Sequence, residues 1–82
     1  MDFNVFQATH QWSDYADYAS ENPMIRHGQW LMNELGNVQR DIYLKITNTD
    51  ADCFFEDSRI DKFWYAVHDI WHGFPHVLKF EG

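Results

Sequence analysis

The sequence predicts a mostly α-helical, compact domain of three or four helices, with a short β pair joining its two ends, residues 3–7 with 76–80. Three observations predict this. Apolar residues recur at helical spacing in several stretches. Helix-start and helix-stop residues fall between those stretches. Fifteen of the 82 residues are Phe, Tyr or Trp, against a single cysteine, so a ring-built core has to replace disulfides as the means of stabilising so short a chain.

Residues 3–8 form a short apolar start whose type is ambiguous. Its weak alternation suits the terminal strand, whose mate is the tail His76-Val77-Leu78-Lys79-Phe80. Residues 12–20 place Trp12, Tyr15, Ala16 and Ala19 at helical spacing, with Ser13 or Asp14 able to cap. Asn22-Pro23 is a helix-start signal, because Asn accepts from an orphan amide and Pro suits the first helical position. That helix is expected to run to about Leu35 and to stop at Gly36. Residues 38–46 space Val38, Ile42 and Ile46 four apart and read as another helix. A polar loop at 47–57 follows, interrupted by Phe54 and Phe55. Ser58 with Asp61 three residues on resembles a capping box. Ile60, Phe63, Trp64, Val67, Ile70 and Trp71 then make one apolar face, stopped by Gly73 and Pro75. At 82 residues the chain reads as one domain, residues 1–82.

Thirteen acids oppose six bases, for a net charge of −7 with neutral histidines. Residues 1–25 carry four acids and no Lys or Arg, residues 48–82 seven acids against three bases, and only the middle is slightly positive. This polarity disfavours binding to nucleic-acid phosphates or to an anionic membrane surface, and favours basic protein partners or cations. The first residues lack the basic start and apolar run of a signal peptide, and no stretch approaches the ~20 apolar residues of a membrane span. With one free cysteine, the cytoplasm is the expected compartment.

Four groups of residues bear on chemistry. His68 and His72 lie four apart on the last helix, a spacing that suits two zinc ligands, although no third ligand is obvious beyond His76 or Asp69 as candidates. The plain reading puts them on a solvent face with Asp61, Lys62, Tyr65 and Asp69. Asp50, Asp52, Glu56 and Asp57 resemble a calcium loop, but Phe54 and Phe55 occupy places that a calcium loop gives to a ligand and to the turn glycine. Cys53 lies among carboxylates, which oppose thiolate formation, so catalysis is not expected and no cofactor is implied. The rings Trp12, Tyr15, Tyr18, Tyr43, Tyr65 and Phe74 exceed what one seam needs, and Tyr and Trp beside acids make good protein-contact groups.

Gly28-Gln29-Trp30-Leu31-Met32-Asn33-Glu34-Leu35, then Asp41-Ile42-Tyr43-Leu44-Lys45-Ile46, then Thr49-Asp50-Ala51-Asp52-Cys53-Phe54-Phe55-Glu56-Asp57-Ser58-Arg59-Ile60 together form a pattern. It resembles that of a group of small phage and bacterial proteins of uncharacterised function, which carry Pro where this chain has Cys53. The resemblance spans about residues 22–72 and implies a setting, that of a phage or prophage accessory protein, with no activity attached. In physical terms Asp57, Ser58 and Arg59 are expected to open the last helix, and Phe54 and Phe55 to plug the loop onto the core.

The sequence therefore points to a small acidic accessory protein that binds a host or phage macromolecule with a basic surface, modulating or inhibiting it. The residues expected to make that contact are Asp14, Tyr15, Asp17, Tyr18, Asp50, Asp52 and Glu56. The alternatives are a zinc domain using His68 and His72, and a homo-oligomeric virion or assembly component.

Overall fold

The computed structural model describes residues 1–81, and in them the chain is helical from its start. The order is α1 (Phe3–Ala8), α2 (Trp12–Glu21), α3 (His27–Val38), α4 (Arg40–Ile46), a 3-10 turn (Asp57–Arg59) and α5 (Ile60–Trp71). The expected helical class holds, with five α-helices among the described residues. The terminal β pair does not form. Asp2 accepts a hydrogen bond from the Val5 amide at 2.9 Å and so caps a helix over residues 3–8. Phe3 and Phe6, three apart, then fall on one buried side. The tail pairs elsewhere, through a single antiparallel bridge between Thr49 and Phe80. It is flanked by bonds from the Asp50 amide to the Lys79 carbonyl (2.9 Å) and from the Glu81 amide to the Asn48 carbonyl (2.7 Å).

Two helix boundaries also differ from expectation. Asn22 ends α2 instead of starting α3, and its side-chain amide donates to the Tyr18 carbonyl at 3.0 Å. Pro23 sits in the turn that follows, and α3 begins only at His27. Gly36 does not stop α3. It lies inside the helix against the ring of Tyr43, where the missing side chain lets α4 fold back closely. The break comes at Gln39, whose backbone (φ −142°, ψ 74°) is not helical. The end of α5 is as expected. Gly73 takes a left-handed φ of 76°, its amide bonds the Ile70 carbonyl at 3.2 Å, and the Phe74 amide bonds the Asp69 carbonyl at 2.7 Å, which satisfies two of the helix's last carbonyls.

The core is one continuous cluster. Phe3 and Phe6 of α1, Trp30, Leu31, Met32 and Leu35 of α3, Ile42 and Ile46 of α4, and Phe63, Ala66 and Val67 of α5 meet around Ala51 and Cys53 of the loop. The first turn of α3 is held from far along the chain. Its own preceding residue, Arg26, supplies no side-chain cap. The Asp57 carboxylate accepts from the Gly28 amide at 2.9 Å instead, and the Cys53 thiol donates to the Gly28 carbonyl at 3.4 Å. Asp57 thus caps α3, the earlier helix, although in sequence it stands beside α5. Phe55 is exposed and Phe54 half-buried, so Cys53, wholly enclosed, is the residue that plugs the loop.

A Cβ at position 28 would run into the Cys53 backbone carbonyl, an obstacle that cannot swing aside. Gly28→Ala is expected to cost about 2–3 kcal/mol, as overpacking against a rigid neighbour does. Asp57→Ala is expected to cost about 1 kcal/mol, the usual worth of a helix cap, with Asp57→Asn keeping part of it. Urea unfolding of the three variants checks both the order and the sizes.

Candidate functional site

The residues expected to touch a partner fall into two sets. Asp14, Tyr15, Asp17 and Tyr18 lie on α2, and Asp50, Asp52 and Glu56 lie on the loop after α4. No hydrogen bond, ion pair or ring contact joins the two sets among the described residues.

The loop acids are occupied within the fold. Asp52 accepts from the Asn48 amide at 2.9 Å and the Phe54 amide at 3.0 Å, which shapes the turn around Asn48, whose φ is +64°. Asp50 accepts from the Lys79 amide at 3.2 Å and lies 4.0 Å from the Lys62 ammonium. Glu56 pairs with Arg59 at 3.1 Å, and Arg59 also grips Glu81 through both guanidinium arms. Asp50 directly, and Glu56 through Arg59, fix the loop to the tail, while Asp52 shapes the loop itself.

Helix α2 is different. It buries no residue. Tyr15 anchors it by donating its hydroxyl to the Ile25 carbonyl, while its ring stacks on His27 at 4.8 Å. Tyr18 stacks on Trp30 at 5.8 Å, and Trp12 meets Tyr15 at 5.5 Å and His27 at 5.2 Å. Trp12 is nonetheless 66% exposed, and Met24 in the following turn is 86% exposed. Asp14 closes a reciprocal capping box with Gln11, accepting from its amide at 2.8 Å. Asp17 and Glu21 have no side-chain partner among the described residues. They stand four apart, so their charges repel along one helix face. Glu21 is also the last residue of the helix, where the dipole is negative and no base balances it.

His27 sits beneath these rings. Its Nε2 is buried without a hydrogen-bond partner, and desolvation lowers its pKa although Asp57 pulls the other way. Burial therefore favours the neutral imidazole in the fold.

At the other end of the molecule His68 and His72 do come together, with ring centroids 4.7 Å apart. The Nδ1 of His68 is engaged by the Asp69 carboxylate at 3.0 Å, and the other oxygen of that carboxylate engages the Nδ1 of His76 at 2.8 Å. Those contacts hold the Asp69 carboxyl below its ordinary range, the His76 bond contributing most. Among the described residues no three His, Cys, Asp or Glu side chains are grouped to hold a metal ion. Cys53 is enclosed, and burial first, then the neighbouring Asp52, pushes its thiol up to about 12. A thiol in that state is a poor nucleophile.

The sequence reading passed over a groove of about 700 Å³ between α1 and α5. Asn4, Gln7 and Gln11 line one side, and Asp61, Trp64, Tyr65, His68 and Asp69 the other, with Phe3 between them. Its signal in the sequence is the polar stripe Asp61, Tyr65, Asp69, four apart. The groove depends on α1 being a helix, and the strand expected there concealed it. No helix of the described residues is long and apolar enough to cross a membrane. No protein-family model, no curated protein and no solved structure matches the chain.

Because His27 protonates less readily folded than unfolded, it supports stability above the ordinary imidazole value near 6.5, and that support is lost as the pH falls through the lowered native value. Stability is expected to decline between pH 7 and 5, and His27→Gln to flatten that decline. Thermal melts of both proteins across this range check it. The Cys53 thiol is expected to resist maleimide until the chain is unfolded in urea, as timed labelling and mass measurement would show.

Proposed function

We propose that the chain is a binding module, a small acidic accessory protein of phage type that docks on a basic surface of a host or phage macromolecule in the host cytoplasm and modulates it. The observation that carries this reading is α2. The helix presents an exposed Trp12, a half-exposed Tyr18 and three acids, with no base of its own. Two of those acids, Asp17 and Glu21, stand where the helix itself gains nothing from them. Like charges at that spacing and an acid at the helix end each oppose the helix by a few tenths of a kcal/mol, roughly 0.2–1. A cationic surface would turn both into attractions. Rigid rings beside the charges supply apolar area at little entropic cost, the composition typical of contact hot spots.

The proposed role is binding and not catalysis, in keeping with an enclosed Cys53 whose raised pKa opposes thiolate chemistry. A partner held this way associates faster at low salt, since complementary charge steers encounter. Of the residues expected from sequence, Asp17 and Tyr18 carry this proposal, while Asp14 caps α2 and Tyr15 anchors it. Asp50, Asp52 and Glu56 serve first to shape the loop.

The double variant Asp17→Lys with Glu21→Lys separates function from folding. Its thermal stability is expected to equal or slightly exceed that of the parent, while it loses the partner. Affinity capture from native host cells, with a photo-cross-linking residue in place of Trp12, checks this. The expected outcome is a basic protein cross-linked at position 12 at about 50 mM salt, released near 500 mM as screening shortens the charge interaction, and absent with the double variant. Capture that ignores the two substitutions would falsify the α2 reading.

A further inference from the structure

We propose that the groove between α1 and α5 reads an arginine in an extended segment of a partner protein, stacking the guanidinium on Tyr65 and pairing it with Asp61. This rests on the docking role above and adds a second contact face.

The stripe on α5 supplies the recognition chemistry. Asp61, Tyr65 and Asp69 follow at intervals of four, so carboxylate, ring and carboxylate stand one above another, each about 6 Å from the next along the axis. Tyr65 is 71% exposed in the middle of the polar face, although a tyrosine there contributes little to the core. Asp69 is already spoken for by His68 and His76. Asp61 has no partner among the described residues and is exposed. The groove lining contains no Lys or Arg. A flat guanidinium can stack on a ring while donating two parallel bonds to a carboxylate, which an ammonium cannot do.

The opposite wall selects a peptide over a free cation. Asn4 and Gln7, three apart on α1, present carboxamides at roughly one-turn spacing. The side chains of Asn4 and Gln7 make no hydrogen bond among the described residues, so both can offer a donor and an acceptor to a backbone amide. Asn4 and Gln7 are separated by about 4.5 Å of helical rise, little more than the length of one extended residue. Trp64 and Phe3, in edge contact at 6.1 Å, give the groove an apolar lining. Phosphate-bearing ligands would be repelled by the two carboxylates.

The probe is the capped pentapeptide Gly-Ala-Arg-Ala-Gly, with its lysine and citrulline versions, titrated at millimolar concentration into the full ¹⁵N-labelled chain. The expected result is movement of the Asn4 and Gln7 side-chain amides and the Trp64 indole signal. The arginine peptide should bind about fivefold tighter than citrulline and detectably tighter than lysine, as a stacked charge pair of this kind warrants. Tyr65→Ala and Asp61→Asn should each weaken it by a similar factor with unchanged circular dichroism. Equal response to arginine and lysine, or indifference to both substitutions, overturns the proposal. The Asp17→Lys/Glu21→Lys protein separates the two readings. A groove response that survives in it supports the groove whatever becomes of capture by α2, and a missing groove response with capture intact overturns the groove alone.

Discussion

The start of α3 is tied to the later part of the chain at one corner, between its first turn and the segment 53–57. A carboxylate 29 residues away in sequence satisfies the Gly28 amide, and the Cys53 carbonyl fills the space a side chain would have taken. The Arg26 guanidinium adds a bond to the Phe54 carbonyl on the same corner. Asp57 also opens the 3-10 turn that runs directly into α5. One carboxylate therefore fixes the start of α3 and the entry to α5 together, and the core between them closes around Cys53.

From that corner a continuous chain of ring contacts crosses the molecule. Trp12, Tyr15 and His27 lead to Trp30, Trp30 to His10 at 5.0 Å, His10 to Phe6 at 4.2 Å, and Phe6 to Trp71 and Trp64. Phe3 then reaches His68 and His72 in edge contacts. Each aromatic pair adds about 0.5–1.5 kcal/mol beyond the area it buries. A chain with no disulfide can thus hold six short or middling helices and turns together. His10 is the polar link: its Nδ1 lies 2.8 Å from the Phe6 carbonyl and its Nε2 3.3 Å from the Glu34 carboxylate, so the histidine sits inside the stack with an acceptor beside each ring nitrogen.

How much of this the sequence reveals depends on the range of the interaction. The face of α5 is readable because twelve residues repeat one period, and its end because Gly73 needs only local geometry. Residues 3–8 are not readable. Six residues hold fewer than two turns, and only the docking of Phe3 and Phe6 decides between helix and strand. Asn22-Pro23 is genuine turn chemistry, but it closes α2. The cap that starts α3 comes from Asp57 and leaves no trace near residue 27. The rings of α2 were visible as a surplus, yet composition could not show which acids were free, because Asp50 and Asp52 differ from Asp17 only in having backbone amides within reach.

The loose attachment of α2 has an energetic consequence. It is held by one tyrosine hydroxyl, a capping box and stacked rings, while Asp17 and Glu21 work against it. A ligand that favours one state shifts an equilibrium by its differential affinity for that state. A cation placed over Asp17 and Glu21 removes a repulsion present only when α2 is helical, so binding there must also tighten α2. Tightening α2 settles Tyr15 on His27, and His27 adjoins Gly28 at the corner that Asp57 caps. The proposed docking face and the central corner are consecutive links in one set of contacts, which would give a surface event on α2 a physical route to the core.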